Sequence, residues 1–210
     1  MDEITFRAAT EEDSDQGADL IMETLHEFGV YLFGFGDRHR AVSALEIFFS
    51  YPGNRFSHQY AEFALSGGEI VGILMLFNLG QMRKSMWATA LQMCKVYKLR
   101  ELVKFLELML PYRDEENIPA DELYIGHLAV KPKYRRHGNG LKLLEYAERR
   151  ARAQGLPKLS LLTEIENSAA RALYEKFGFK VTDTILMPAQ MAHVGSKGDV
   201  RMVKILSNKN

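Results

Sequence analysis

The residues best suited to chemistry lie in a basic, glycine-bearing loop that follows an apolar strand. The segment 128–140 reads Leu-Ala-Val-Lys-Pro-Lys-Tyr-Arg-Arg-His-Gly-Asn-Gly, and helical spacing of apolar residues begins directly after it at Leu141. Backbone N–H groups at a helix start have no partner within the helix, and the helix dipole favours negative charge there. Glycine lets a backbone approach a ligand closely. This spacing therefore predicts a phosphate-binding site.

The predicted phosphate-binding residues share the loop and the first turn of the helix: Arg135, Arg136, His137, Gly138, Asn139, Gly140 and Leu141.

Two common phosphate-binding patterns are excluded. A dinucleotide fingerprint needs a further glycine where this chain has Leu143, and a P-loop needs Gly-Lys-Ser/Thr, which does not follow these glycines. The pattern that remains is Arg-x-x-Gly-x-Gly.

A second motif lies downstream, where residues 167–179 read Asn-Ser-Ala-Ala-Arg-Ala-Leu-Tyr-Glu-Lys-Phe-Gly-Phe. Together the two motifs resemble the GNAT superfamily of acetyl-CoA-dependent N-acetyltransferases. Its signatures are Arg/Gln-x-x-Gly-x-Gly/Ala and, further along, Asn-x-x-Ala-x-x-Leu-Tyr-x-x-x-Gly-Phe. The motifs cover about residues 122–180, and the order of elements extends the resemblance to nearly the whole chain.

The resemblance implies that acetyl-CoA is the acyl donor and that a primary amine attacks its thioester directly, in a ternary complex. The main chain at Leu128 and Val130 would pair with the pantetheine arm, with Ala129 between them in the same cofactor site. An N–H near Leu128 would polarise the thioester carbonyl. The loop would hold the pyrophosphate, and Asn167 would contact the arm from the other side. Tyr174 matches the family's usual general acid, which protonates the departing thiolate.

Several groups are candidates for the general base. Glu122, at the mouth of the fourth predicted strand, is the first candidate, and Glu164, His127 and a water relay are the alternatives. Strict alternation along that strand places Glu122, Tyr124 and Gly126 on one face and His127 on the other.

These residues need a scaffold of alternating strands and helices. Periodicity and turn signals predict strands at 4–7, 59–65, 69–77, 122–130, 158–164, 179–187 and 200–206, and helices at 10–28, 40–49, 82–95, 98–110, 140–154 and 168–177. We expect one α/β domain over 1–210, with helices on both faces of a mixed sheet. The resemblance implies that this sheet is splayed between strands 4 and 5. Segment 81–112 resembles a helical insertion that shapes the acceptor site.

The bulk composition narrows the function classes. Lys plus Arg and Asp plus Glu both number 27, which argues against a dedicated nucleic-acid binder. Charge is uneven locally, since 131–152 is basic and 114–122 is acidic. Cys94 is the only cysteine, so an intramolecular disulfide and a cysteine-based zinc site are excluded, and we expect no metal cofactor.

The first residues do not resemble a signal peptide, and no apolar run has the length of a membrane span. We therefore expect a soluble, cytoplasmic protein that contacts neither membrane nor nucleic acid. Its expected partner is a small-molecule or peptide amine, and a homodimer is compatible with the sequence. Two alternatives remain: a non-catalytic acyl-CoA-binding module on the same fold, and an acyltransferase that uses longer acyl groups.

Overall fold

Seven strands form one mixed sheet in the computed structural model, which describes residues 3–109, 118–187 and 196–206. The strands are β1 (Thr5–Ala8), β2 (Ala61–Ser66), β3 (Glu69–Phe77), β4 (Glu122–Val130), β5 (Lys158–Glu164), β6 (Lys180–Leu186) and β7 (Gly198–Ile205). The helices are α1 (Ser14–Gly34), α2 (Arg38–Ser50), α3 (Leu79–Val96), α4 (Leu99–Met109), α5 (Asn139–Ala153) and α6 (Ser168–Phe177). The strand order is β1-β2-β3-β4-β5-β7-β6, and β4 and β5 are parallel.

The sheet separates two apolar cores, as the predicted helices on both faces require. One core packs α1 and α2 against the sheet and includes Phe33, Phe48 and Phe63. The other packs α5 and α6 against the opposite face and includes Leu144 and Tyr174. Each helix buries one face because its apolar residues recur at helical spacing and so lie on one side of the helix.

The parallel strands β4 and β5 separate along their length. Their pairing runs from Glu122↔Lys158 to Ile125↔Leu161 and stops there, although β4 continues to Val130. Beyond that point β4 is still held by β3, and β5 is still held by β7. The two strands therefore open into a V at their carboxyl ends.

A β-bulge at Gly126 lies at the start of this V. The register of β4 against β3 jumps from Ile125 to His127, so that Gly126 is an extra residue. A Cβ at Gly126 would lie 2.8 Å from Cε2 of Phe77, which explains the glycine. The bulge shifts the alternation, and His127 packs on the same face as Tyr124, toward α1. The prediction of opposite faces is wrong because strict alternation ignores the extra residue.

The segment between β3 and β4 contains the two expected helices. The first begins earlier than predicted because Asn78 and Gln81 form a reciprocal capping box at its start. The acidic run that follows lies largely outside the described residues. Within the described parts of the chain, no helix is both long enough and apolar enough to cross a membrane.

Helix α1 is kinked at His26, although helical spacing predicts an unbroken helix there. His26 has φ 48° and ψ −138°, a left-handed conformation that side-chain-bearing residues rarely adopt. The helix then resumes and ends at Gly34.

Candidate active site

A cavity of about 430 Å³ lies where β4 and β5 separate. Three predicted site residues line it: Leu128 on β4, and Asn167 and Tyr174 at the start and in the middle of α6. Glu164 and His127, which the sequence left as alternative bases, also line it. The V in the sheet thus brings residues of β4 together with residues of β5 and α6, which lie about 30 or more residues further along the chain.

Tyr174 is held in a state suited to proton donation. Its side chain belongs to the core between α5 and α6, and its ring lies 5.9 Å from that of Phe179. Burial raises the pKa of Tyr174 to about 12 because the phenolate would be poorly solvated. The hydroxyl therefore keeps its proton at neutral pH, so that a proton is present where a leaving group would depart.

Asn167 fixes the start of the helix that carries Tyr174. Its side-chain oxygen accepts a hydrogen bond from the N–H of Ala170 at 3.1 Å. This N-cap uses the amide oxygen, so the amide nitrogen is the side-chain group that can serve a ligand in the cavity.

The predicted phosphate loop lies at the N-terminus of α5, outside the residues that line the cavity. Gly138 is the N-cap and has φ +79°, and Arg136 before it has φ +63°. The Asn139 side chain donates to the carbonyl of Tyr134 at 2.9 Å and so fixes the loop. Left-handed residues before a helix start leave successive backbone N–H groups available to an anion.

The basic side chains of this loop divide into two kinds. Arg135 donates from Nε to the Val130 carbonyl at 2.9 Å and from its guanidinium to Glu23 at 2.5 Å, and so ties the loop to β4 and α1. Arg136 and His137 are exposed. The hydrogen-bond donors of this loop suit a pyrophosphate, and the open edge of β4 suits an extended arm joined to it.

Glu122 is not brought into this arrangement. It is buried at the end of β4 where β4 and β5 are still paired, and its carboxylate forms an ion pair with Arg201 of β7. It does not line the cavity. The placement therefore does not support its predicted role as the base.

Glu164 occupies the better position for a base. It lies at the carboxyl end of β5, half-buried in the cavity wall. Burial raises the pKa of the Glu164 carboxyl above its ordinary value of 4.5, while the nearby His26 lowers it and Glu166 raises it further. A carboxylate with raised proton affinity accepts a proton more readily than an exposed one.

His127 is a neutral residue with a defined tautomer. The Thr24 hydroxyl donates its single proton to the carbonyl of Ile21 at 2.7 Å, so it accepts from Nδ1 of His127, also at 2.7 Å. Burial, helped by the charge of Arg55, lowers the pKa of His127 to about 3. Such a group is too weak a base to take a proton from an ammonium ion at neutral pH.

His26 is a cavity residue that no sequence pattern indicates. It lines the cavity beside Glu164, and its strained backbone occurs in a helix whose spacing looks regular. Strained residues concentrate at functional sites, where the surrounding structure holds them.

Comparison with known proteins identifies the family. A sequence model of the acetyltransferase (GNAT) family matches residues 22–179, about three quarters of the chain. The chain belongs to this family. GNAT acetyltransferases use acetyl-CoA as their acetyl donor, which is the cofactor that the loop and the V predict.

Curated relatives match shorter stretches. N-alpha-acetyltransferase 30 of Saccharomyces cerevisiae is 48% identical over 56 residues, which is 27% of this chain and 32% of that protein. An uncharacterised N-acetyltransferase, YycN of Bacillus subtilis, is 35% identical over 72 residues, which is 34% of this chain and 46% of that protein. The matches thus span less than half the length of these relatives.

Solved structures show the same fold. An N-acetyltransferase from Staphylococcus aureus Mu50 superposes with a TM-score of 0.72 at 22% identity, over 95% of this chain and 99% of that chain. The PaiA N-acetyltransferase from Thermoplasma acidophilum, solved in complex with coenzyme A, gives 0.55 at 16% identity, over 97% and 99%. The predicted fold class, an α/β GNAT-like sheet, is confirmed.

Proposed function

We propose that this GNAT protein transfers the acetyl group of acetyl-CoA to a primary amine within a ternary complex. The observation that carries the proposal is the cavity in the V, where Tyr174 and Glu164 line the same space as the open end of β4. A group that keeps its proton and a group that readily accepts one therefore share a single site.

The binding of the donor follows from this chain's own backbone. The main chain of β4 beyond Ile125 is not paired with β5 and can hydrogen-bond an extended arm at Leu128 and at the N–H of Val130, whose carbonyl accepts from Arg135. Ala129 lies between them, with its main chain directed to β3. The loop around Gly138 would hold the pyrophosphate on backbone N–H groups, with the exposed Arg136 and His137 beside it. When bound, acetyl-CoA supplies an acetyl thioester.

The protons are balanced by the two side chains. Glu164 accepts a proton from the ammonium group, directly or through water, and passes it to solvent, so that the nitrogen lone pair can form the new C–N bond. Glu164 then accepts the second proton, which the nitrogen loses once that bond has formed. The C–S bond breaks, and Tyr174 gives its proton to the sulfur. Both groups return to their starting states when a proton passes from Glu164 to Tyr174 through solvent. Holding the two reactants together supplies much of the acceleration.

The comparisons support an amine acceptor, since the curated relatives are named N-acetyltransferases and one is an N-alpha-acetyltransferase. The family assignment supports acetyl transfer over simple acyl-CoA binding. A pure binder also has no need for a protonated tyrosine that faces a carboxylate across one cavity.

A screen of amines for thiol release from acetyl-CoA tests the proposal, with Tyr174→Phe as the variant. We expect turnover by the natural chain and a loss of about 100-fold or more in the variant, with the affinity for coenzyme A nearly unchanged. Tyr146→Phe, on α5 and outside the cavity, is the matched control. Binding of coenzyme A without turnover of any amine would instead indicate a non-catalytic module.

A further inference from the structure

One part of the cavity is lined by apolar side chains. Beyond the residues beside Tyr174, it is lined by the side chains of Phe28, Leu32, Phe33, Phe56, Met93 and Phe105. Three of these rings form a cluster: the centroid of Phe33 lies 5.2 Å from that of Phe56 and 6.2 Å from that of Phe105. We call the space beside these three rings the aromatic chamber.

The aromatic chamber lies on the acceptor's side of the sheet. Its rings belong to, or pack against, the core beneath α1 and α2. Helix α5, whose N-terminus forms the phosphate loop, packs on the opposite face. An arm that runs from that loop through the V therefore presents its reactive end to the chamber, and the molecule that meets it there is the acceptor.

The walls of the chamber favour an uncharged occupant. His127, whose ring centroid lies 5.8 Å from that of Phe56, is kept neutral by burial, which shows that this part of the cavity solvates charge poorly.

Charge at the other end of the cavity orients such a molecule. Glu164 attracts an ammonium group and lines the same cavity as Tyr174, where the proton transfers of the proposed function occur. A substrate with one amine and one apolar arm satisfies both ends at once. A polyamine satisfies only one of them, because its second cation would enter the apolar space beside the three rings.

From this arrangement we infer that the acceptor is a primary amine on a bulky apolar group, with that group seated against Phe33, Phe56 and Phe105. The inference rests on the proposed function and specifies its substrate class. The same chemistry is found in a small arylalkylamine and in a peptide that begins with a large apolar residue. Helices α3 and α4, which supply Met93 and Phe105, are then specificity elements.

Matched acceptors test the inference by thiol release from acetyl-CoA. We expect kcat/KM for 2-phenylethylamine to exceed that for ethylamine by about tenfold or more, and spermidine to be poor. A second pair of acceptors distinguishes a peptide from a small amine: a peptide that begins with phenylalanine and one that begins with glycine. If the acceptor is a peptide, kcat/KM gains more between these two peptides than between the two small amines, and if it is a small arylalkylamine the reverse holds. Preference for ethylamine, glycine peptide or spermidine would overturn the inference and leave the proposed function standing.

A filling variant locates the apolar arm. Ala90 lines the cavity from α3 and is exposed, so Ala90→Trp adds bulk there without disturbing the core. We expect it to lower kcat/KM for 2-phenylethylamine about tenfold while that for ethylamine changes little. Leu91→Trp, on the outward side of the same helix at 77% exposure, is the control and should change neither value.

Two results would contradict the inference in distinct ways. Equal losses for both amines in Ala90→Trp would show that the chamber does not hold the arm. Faster transfer from hexanoyl-CoA than from acetyl-CoA, lost in Ala90→Trp, would show that it holds the acyl chain of the donor. If the natural chain acetylates no amine at all, the proposed function fails first, and the inference fails with it.

Discussion

Acidification should destabilise the folded protein through His127, one of the buried polar residues in the cavity wall. The unfolded chain protonates this imidazole below its ordinary pKa of 6.5, whereas the folded chain does so only near pH 3. Between those values the unfolded state binds more protons, so stability is present above pH 6.5 and is lost as the pH falls. Each tenfold difference in proton affinity between the two states corresponds to about 1.4 kcal/mol, which gives a loss of ~2 kcal/mol between about pH 7.5 and about pH 5.

Urea unfolding followed by circular dichroism at both pH values measures this loss. The matched variant is His127→Asn, whose amide nitrogen takes the place of Nδ1 as a donor for Thr24 but cannot titrate. Other titrating groups contribute equally to the pH dependence of stability in both proteins. The difference in pH dependence between the natural chain and the variant therefore reports His127 alone. We expect the natural chain to lose ~2 kcal/mol more than the variant. Equal losses would refute the conclusion that the imidazole is neutral and held by Thr24.

Three further predictions concern the loop, the kink and the base. Gly138→Val should weaken coenzyme A binding by about tenfold in calorimetry, because a β-branched residue is strained at φ +79° and its side chain would occupy the open space beside the loop. Gly155→Val, at φ +68° beyond the other end of α5, should lose stability alone, and equal affinities in the two variants would refute the loop's role. His26→Gly should hold or raise the melting temperature, since relief of ~1–3 kcal/mol of strain offsets the added flexibility, while loss of the imidazole near Glu164 lowers turnover. Unchanged turnover would show that the His26 side chain takes no part in the reaction. Glu164→Gln should remove the acidic limb of the plot of kcat/KM against pH, whose midpoint lies above the ordinary carboxyl pKa of 4.5. Glu122→Gln should lower stability and leave kcat unchanged, because its carboxylate pairs with Arg201. The reverse pattern would restore Glu122 as the base.

Most of the helices and strands could be predicted from the sequence because the signals that begin and end them lie within a few residues of each other. The strand over 122–130, the strand over 158–164 and the helix over 168–177 have the expected bounds, since periodicity and glycine or asparagine caps determine them. The loop motif likewise predicted a helix start with a left-handed glycine at Gly138.

The departures from prediction arise from contacts between distant residues. The bulge at Gly126 depends on the ring of Phe77 in the neighbouring strand, and it reverses the face on which His127 lies. The role of Glu122 depends on Arg201, 79 residues away in sequence. The aromatic chamber is assembled from two helices and a loop that no motif connects. Pattern and spacing therefore led to the proposed donor site, whereas the proposed acceptor side required tertiary structure.

The central claim is that acetyl transfer takes place in the V between β4 and β5, with Tyr174 as the acid. Its most direct test is a single-turnover experiment at saturating acetyl-CoA and 2-phenylethylamine, in which free thiol and acetylated amine are both quantified. We predict equal amounts of the two products from the natural chain, and a Tyr174→Phe variant that still binds coenzyme A but forms both about 100-fold more slowly. Undiminished product formation by the variant would contradict the account.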